Sequence, residues 1–369
     1  MIYSHTSRNR MKDNPTVVFP EPGKVVLENK PCPSPKAGEL LVQTHRTLIS
    51  TGTELTMLSG KFPPDSFWES YVRYPVTPGY CNVGVVVGLG PEVDQKWLGQ
   101  RVASYGNHAR YVTVKANPGP SESQTNLDGP LAISIPSPWV LARPMLRDVS
   151  DEQAIFFTIG EIVMNGVRRA KVRWGEAVVV YGLGLLGQLT VQMCRVAGAR
   201  PIIGVDVAES RLQCLPKDPA VIRVNAKTSD VSDVVEKATR GRKADVVFEV
   251  TGNPEAIAPQ FGVLRNQGRF VILSSPKGKT QFDFHDLCNA PSHTIIGAHN
   301  FSHPAVATLD NPWTNLRDTE LFFDLVADGA VQLEPLISHR ARYDKAADLY
   351  QMLVNDRSNA MGVVLDWTI

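Results

Sequence analysis

Residues 178–206, VVVYGLGLLGQLTVQMCRVAGARPIIGVD, carry the pattern that decides the fold. An apolar run meets three glycines in G-x-G-x-x-G spacing, and an amphipathic run then leads to a second apolar run that ends on Asp206. The glycines are Gly182, Gly184 and Gly187. This order predicts a strand, a tight turn, a helix and a second strand that ends in an acid, which is the arrangement of a dinucleotide-binding site.

Each residue of the glycine turn has its own predicted role. Gly182 permits the tight turn, Gly184 lets the backbone approach the pyrophosphate, and Gly187 lets the helix pack against the strand. Leu185 and Leu186 begin the helix, whose free N–H groups and partial positive charge attract an anion. All five residues are therefore expected to contact the cofactor.

Asp206 decides which dinucleotide is expected. It lies 19 residues after Gly187 and can accept hydrogen bonds from the ribose hydroxyls. Because a carboxylate there repels a 2′-phosphate, NAD is predicted over NADP. Arg211 lies five residues further on and is also expected to contact the cofactor.

The character of the sequence changes near Ser150. Residues 16–115 contain short strand-like segments separated by Pro and Gly, as in an all-β unit. Ser150 is a suitable N-cap for a helix over 151–171. The following strands are predicted at 176–181, 201–205, 221–225, 244–250, 269–274 and 293–298, with helices at 185–197, 208–214, 230–240, 253–265 and 283–289. This alternation predicts an α/β fold with a doubly wound, six-stranded parallel sheet of the Rossmann type.

The length of 369 residues suggests about two domains. The predicted divisions are a β-rich domain over 1–150, a nucleotide domain over 151–300 and a C-terminal segment over 301–369. The formal net charge of +1 gives no reason to expect nucleic acid or a membrane surface as a partner. Five scattered cysteines without a C-x-x-C pair are typical of reduced thiols in a cytoplasmic protein.

Six segments of the chain resemble the medium-chain dehydrogenase/reductase superfamily. They are ISTGTE (49–54), TPGYCNVGVVVGLG (77–90), HARYVTV (108–114), GLGLLG (182–187), FEVTGNPEAI (248–257) and GRFVILSS (268–275). The resemblance implies a GroES-like catalytic domain that the C-terminal segment completes, a small-molecule substrate, and a homodimer formed through HTIIGAH (293–299). Within the superfamily, the chain is similar to a zinc-free subgroup that includes bacteriochlorophyllide a dehydrogenase.

The resemblance breaks down at the metal ligands. Zinc-dependent members carry a Cys where this chain has Thr51, and a His where it has Tyr80 with Cys81. They carry a Cys or Glu at about the position of Thr158. A hydroxyl is a poor zinc ligand beside imidazole, thiolate and carboxylate, so no metal is predicted. The alternative is an unfamiliar metal site, formed by Cys81, Glu54 and Glu161.

Without zinc, oxidation of an alcohol needs a general base near the carbinol. Tyr80 replaces a metal ligand, and Thr53 lies where relatives carry a Ser or Thr that passes on the substrate proton. The hypothesis is that the Tyr80 and Thr53 hydroxyls bind the substrate oxygen, with proton transfer assisted by His108 or Glu54. Each residue also has a simpler interpretation: Tyr80 fills the volume of zinc, Thr53 bonds local backbone, Glu54 forms a structural ion pair, and His108 is a satisfied strand-end histidine.

Five more residues follow strands of the predicted sheet at its carboxyl edge, where ligands bind in this topology. Thr251 and Gly252 resemble the family segment beneath the cofactor riboses. Ser274 and Ser275 end the next strand and are expected near nicotinamide or substrate. His299 ends the sixth strand and either reaches the same region or packs at a subunit interface.

These features predict a zinc-independent, NAD-dependent oxidoreductase that acts on a secondary alcohol or its ketone, first of all a sugar, a cyclitol or another polyol that bears a ring. One alternative is a zinc-free reductase of an activated C=C bond or a quinone. The other alternative, from a different class, is an NAD-binding relative without catalytic activity.

Overall fold

The computed structural model describes residues 13–117, 141–304 and 306–369. Its strands are β1 (Asp13–Val18), β2 (Val26–Pro31), β3 (Glu39–Ile49), β4 (Asn82–Leu89), β5 (Arg101–Ser104), β6 (Tyr111–Lys115), β7 (Arg143–Pro144), β8 (Val178–Tyr181), β9 (Ile202–Asp206), β10 (Val221–Asn225), β11 (Ala244–Glu249), β12 (Leu264–Ile272), β13 (Thr294–Gly297), β14 (Ile337–Arg342) and β15 (Gly362–Asp366). Its α-helices are α1 (Thr53–Ser59), α2 (Phe67–Tyr71), α3 (Asp151–Ala154), α4 (Phe157–Arg169), α5 (Leu185–Val196), α6 (Glu209–Gln213), α7 (Val231–Thr239), α8 (Pro254–Ile257), α9 (Asn315–Ala327) and α10 (Ala346–Asn355).

The described residues divide into two compact units. The first unit contains the chain up to Thr158 together with Pro304–Ala327 and Ile337–Ile369, and the second contains Ile159–His303 and Asp328–Leu336. In neither unit do the described residues form a helix that is both long and apolar enough to cross a bilayer.

The second unit is built on a six-stranded sheet in the order β10-β9-β8-β11-β12-β13, and every pairing in it is parallel. The central strand β8 is a continuous apolar run because a parallel sheet buries both of its faces. The predicted Rossmann sheet is therefore confirmed. Its strand order reverses between β8 and β11, the place where such sheets bind ligands.

Three predicted helices differ from the structure. In place of the helix over 283–289 there is a single π-helical turn, His285–Asn289. The helix over 253–265 is wrong: α8 ends at Ile257, a 3₁₀ turn runs over Ala258–Val263, and β12 begins at Leu264. Pro259 explains the change, because it has no N–H for an α-helical hydrogen bond. The helix over 151–171 is interrupted into α3 and α4.

The first unit contains a mixed sheet in the order β14-β15-β3-β4-β5-β7, with β6 also paired to β3, and a separate β1-β2 ribbon. This is the predicted β-rich, GroES-like architecture. The C-terminal strand β15 pairs antiparallel with β3, so the end of the chain is part of this sheet. Helix α10 contributes Leu349, Tyr350 and Leu353 to the core beneath it.

The limits of the units differ from the predicted boundaries of 150 and 300 for local reasons. Ser150 and Gln153 form a capping box at α3, and Asp151 binds Arg101 of β5, which ties residues 151–158 to the first unit. Gln332 exchanges two hydrogen bonds with Gln192 of α5, which ties residues 328–336 to the second unit.

Candidate cofactor and active sites

The turn between β8 and α5 has the geometry expected of a phosphate-binding loop. Gly182 has a φ of +91°, and a Cβ atom there would lie 2.9 Å from the Thr251 nitrogen. At Gly187 a Cβ atom would lie 1.8 Å from the Gly182 carbonyl oxygen. At Gly184, by contrast, it would meet nothing within 4 Å. Two glycines are thus required by the fold itself, whereas Gly184 faces open space that a pyrophosphate can fill.

Helix α5 points its N-terminus at this space. Gly184 is its N-cap residue and supplies no side chain to bond the first N–H groups. The N–H groups of Leu185 and Leu186 have no acceptor within the helix, because the first turn of any α-helix lacks them. Both leucines are partly exposed, so their N–H groups suit an incoming anion.

Asp206 ends β9 beside the turn, as predicted, and its carboxylate is already oriented. One oxygen accepts the Leu183 N–H at 2.7 Å, and the other accepts the N–H groups of Val207 at 2.7 Å and Ala208 at 2.9 Å. Arg211 lies 3.7 Å from the same carboxylate. The acid and the glycine turn therefore form one rigid corner, and these residues fit the ribose end of a dinucleotide.

A residue that sequence analysis did not single out organises the rest of the cofactor region. Glu249, the last residue of β11, is fully buried. Its carboxylate accepts the N–H groups of Thr251 at 2.7 Å and Gly252 at 3.1 Å, and it also accepts the hydroxyls of Thr251 and Ser274. The structure thus brings three of the predicted cofactor residues together around one buried carboxylate.

The remaining two predicted residues are arranged differently. Ser275 is exposed just beyond β12. His299 follows β13, and its Nδ1 atom accepts the Phe301 N–H at 3.2 Å, which caps a short 3₁₀ turn. Partial burial lowers the pKa of the His299 imidazole. His299 therefore has a local structural task, and its Nε2 atom is the nitrogen left for a ligand.

In the first unit, three hydroxyls meet near the start of α1. The Tyr80 hydroxyl donates a hydrogen bond to Ser50 Oγ and lies 3.4 Å from Thr53 Oγ1. Burial raises the pKa of Tyr80, so its hydroxyl stays protonated as a donor at neutral pH. We call Tyr80, Ser50 and Thr53 the hydroxyl cluster. Ser50 was missed in the sequence, although it belongs to the quoted ISTGTE segment.

Glu54, His108 and Tyr350 form a second group, here called the buried triad, and all three side chains are fully buried. Glu54 Oε2 lies 3.1 Å from His108 Nε2 and also accepts the Tyr350 hydroxyl. The other polar atoms of the pair, Glu54 Oε1 and His108 Nδ1, are buried without a hydrogen-bond partner among the described residues. The side chains of Glu54 and His108 therefore have no solvent-accessible surface in this structure.

The residues at the positions that the resemblance assigns to zinc ligands offer hydroxyls. Thr51 and Tyr80 offer hydroxyls, and the Thr158 hydroxyl donates to the Tyr80 carbonyl at 3.1 Å. No three His, Cys, Asp or Glu side chains in residues 13–117, 141–304 and 306–369 are grouped as a metal requires. The alternative set is therefore not formed, since the Glu54 carboxylate is held by His108 and Tyr350.

Comparisons with known proteins agree with this architecture. A family model described as "Zinc-binding dehydrogenase" matches residues 186–311. The chain is 25% identical over 355 residues to L-threonine 3-dehydrogenase of Chromobacterium violaceum, a match that covers 92% of this chain and 96% of that protein. It is 26% identical over 351 residues to sorbitol dehydrogenase 2 of Saccharomyces cerevisiae, which covers 91% and 93%.

A solved structure has the same fold. It is a short chain alcohol dehydrogenase (rspB) from Escherichia coli CFT073, complexed with cofactor NADH, and it superposes with a TM-score of 0.74 at 16% identity. The alignment covers 96% of this chain and 99% of that one. The fold of that structure therefore covers both units of the present chain.

Proposed function

We propose that the chain is an oxidoreductase of the medium-chain dehydrogenase/reductase superfamily and that it uses NAD to oxidise a secondary alcohol on a ring-bearing polyol, such as a sugar or cyclitol, without a zinc ion. The observation that carries this proposal is the hydroxyl cluster, in which Tyr80 stands at a position that the resemblance assigns to a zinc ligand. A site built of hydroxyls recognises a substrate oxygen by hydrogen bonds and not by Lewis acidity.

The second unit supports the cofactor part of the proposal. The space beside Gly184, the free N–H groups of α5 and the oriented Asp206 carboxylate match a pyrophosphate followed by a ribose. A carboxylate at the ribose favours NAD, because it repels the 2′-phosphate of NADP. Glu249 holds the Thr251 and Ser274 loops in place at the same edge of the sheet.

The first unit supports the substrate part. A bound nicotinamide would supply the acceptor for the hydride that leaves the carbinol carbon. When substrate binds, the Tyr80 hydroxyl exchanges its hydrogen bond to Ser50 for one to the substrate oxygen, since a protonated phenol with a raised pKa is a donor and not a base. Thr53, which is partly exposed, takes the substrate proton on Oγ1 while its own hydroxyl proton passes to a solvent water. Glu54 and His108 act as positioning residues, because both side chains are fully buried and Glu54 directly follows Thr53 in the chain.

The substrate class rests on chemistry and on relatives. A hydroxyl cluster suits a substrate rich in hydroxyls, and a related protein is named for sorbitol, which is a polyol. The test is to offer the purified protein NAD with a panel of cyclitols, sugars and linear polyols and to follow NADH formation. The same preparation receives NADPH with enones and quinones.

Three results would contradict the proposal. Reduction of enones or quinones alone would indicate the C=C or quinone reductase. Tight NAD binding without turnover on any substrate would indicate a binding protein. Stoichiometric zinc in the purified protein, with activity that a chelator removes, would contradict the metal-free site.

We further propose a cytoplasmic homodimer. All five cysteines are free. Strand β13 forms one edge of the parallel sheet, and its Ile295 side chain is exposed. An exposed edge strand is a template for pairing with a second chain. Light scattering of the wild type and of Ile295→Lys tests this: the wild type should have twice the mass of the variant.

A further inference from the structure

We propose that Tyr350 of α10 is a positioning residue for the hydroxyl cluster, so that the C-terminal helix is part of the active site. The inference deepens the proposed function and rests on it. It starts from the Tyr350 hydroxyl, which donates to Glu54 Oε2 inside the core of the first unit. No motif in the sequence indicates this tyrosine.

The hydroxyl of Tyr350 has a task that its ring does not share. The ring packs edge-to-face on Phe19 with centroids 5.1 Å apart, and phenylalanine would fill this apolar space equally well. Burial raises the pKa of Tyr350, which keeps the hydroxyl protonated as a donor. A buried hydroxyl in an apolar core is costly unless it bonds a partner, and here the partner is the Glu54 carboxylate.

Glu54 transmits this contact to the hydroxyl cluster through the backbone. It is the second residue of α1 and follows Thr53 directly. The Glu54 N–H bonds the Ser50 carbonyl at 3.0 Å, so the residue is tied to two of the three cluster members. The N-cap residue Gly52 makes no side-chain capping bond, so the helix start lacks the usual anchor. The Glu54 side chain takes its place.

The hydrogen bonds of this anchor are concentrated on one oxygen. Both Tyr350 and His108 reach Oε2, whereas Oε1 is buried without a partner among the described residues. Removing the Tyr350 hydroxyl therefore leaves the carboxylate with His108 as its one remaining side-chain donor in that part of the chain. The start of α1 then has more freedom, and Thr53 and Ser50 lose their fixed positions relative to Tyr80.

The experiment compares Tyr350→Phe with the matched control Tyr343→Phe. The Tyr343 hydroxyl accepts a hydrogen bond from Arg110 at 2.7 Å, and its ring stacks on Trp367, away from Glu54. With the best alcohol of the panel, kcat of Tyr350→Phe should fall about tenfold, while the KM for NAD stays within twofold. Tyr343→Phe should leave both values within twofold of the wild type.

A second measurement does not need a substrate. Hydrogen exchange followed by mass spectrometry should show faster exchange in the peptide over 50–57 for Tyr350→Phe, with no change in the Rossmann sheet and none in Tyr343→Phe. If no alcohol is oxidised, the proposed function fails. The exchange measurement still decides whether the Tyr350 hydroxyl holds the start of α1 in place. Unchanged exchange over 50–57, unchanged kcat in Tyr350→Phe, or equal effects in both variants would overturn the inference.

Discussion

The glycine turn of the second unit and the hydroxyl cluster of the first are both built around the start of a helix, but they depend on different parts of the chain. Backbone atoms form the glycine turn, and a single Cβ atom at Gly187 would overlap a carbonyl oxygen. Side-chain oxygens form the hydroxyl cluster, and its members come from two separate segments. An added methyl group is therefore the most direct test of the glycine turn, and removal of an oxygen atom is the most direct test of the hydroxyl cluster.

The largest effect is expected from Gly187→Ala. The added methyl would lie 1.8 Å from the Gly182 oxygen, so α5 must move away from β8 and the turn must open. NADH binding should become undetectable by fluorescence titration, and the free energy of unfolding in urea should fall by about 3 kcal/mol.

Gly184→Ala is the matched control for this change. Its methyl meets no protein atom within 4 Å, so the free energy of unfolding should stay within about 1 kcal/mol of the wild type. NADH affinity should nevertheless fall about tenfold, because the methyl occupies the space assigned to the pyrophosphate. Equal stability losses in the two variants would contradict the distinct roles of these glycines.

The next largest effect is expected from Tyr80→Phe. Loss of a donor to the substrate oxygen should lower kcat about 100-fold, as for other oxygen-stabilising donors. NADH affinity should stay within twofold, since Tyr80 lies in the first unit and the glycine turn lies in the second. Steady-state kinetics and fluorescence titration measure both quantities, and near-normal turnover would show that Tyr80 only fills space.

The two regions also differ in how far the sequence predicts them. The glycine turn and Asp206 lie within 29 consecutive residues of one strand-helix-strand unit, and local periodicity identifies such units. The Tyr350–Glu54 bond joins residues 296 positions apart, and a tyrosine in an amphipathic helix is not distinguishable from an ordinary core residue. Glu249 was overlooked for a related reason: it ends an apolar strand, and its partners become evident only when β11 and β12 lie side by side.

Glu249 offers a test of whether side chains also matter in the cofactor region. In Glu249→Ala, the N–H groups of Thr251 and Gly252 and the hydroxyl of Ser274 lose their acceptor, so both loops become less ordered. The KM for NAD should rise about 30-fold, which corresponds to about 2 kcal/mol.

Glu249→Gln is the conservative control. It keeps one acceptor oxygen for the two N–H groups, and Ser274 can turn its hydroxyl to accept from the amide. Most of the affinity for NAD should therefore return, with a KM within about threefold of the wild type. If Gln were as damaging as Ala, the charge of Glu249 and not its hydrogen bonds would organise the loops.

The smallest effect is expected at Asp206, where the negative charge of one carboxylate sets the preference for NAD over NADP. Asp206→Asn removes the repulsion of a 2′-phosphate and leaves Arg211 nearby as a cation for it. The ratio of kcat/KM for NAD to that for NADP should fall about tenfold, or about 1.4 kcal/mol of discrimination. Asp218→Asn is the control, because that carboxylate also binds an arginine and a backbone N–H but lies before β10, at the amino ends of the parallel strands, whereas Asp206 lies at their carboxyl ends. A ratio unchanged in Asp206→Asn would mean that the ribose end is read by backbone alone, and the preference for NAD would then need another source.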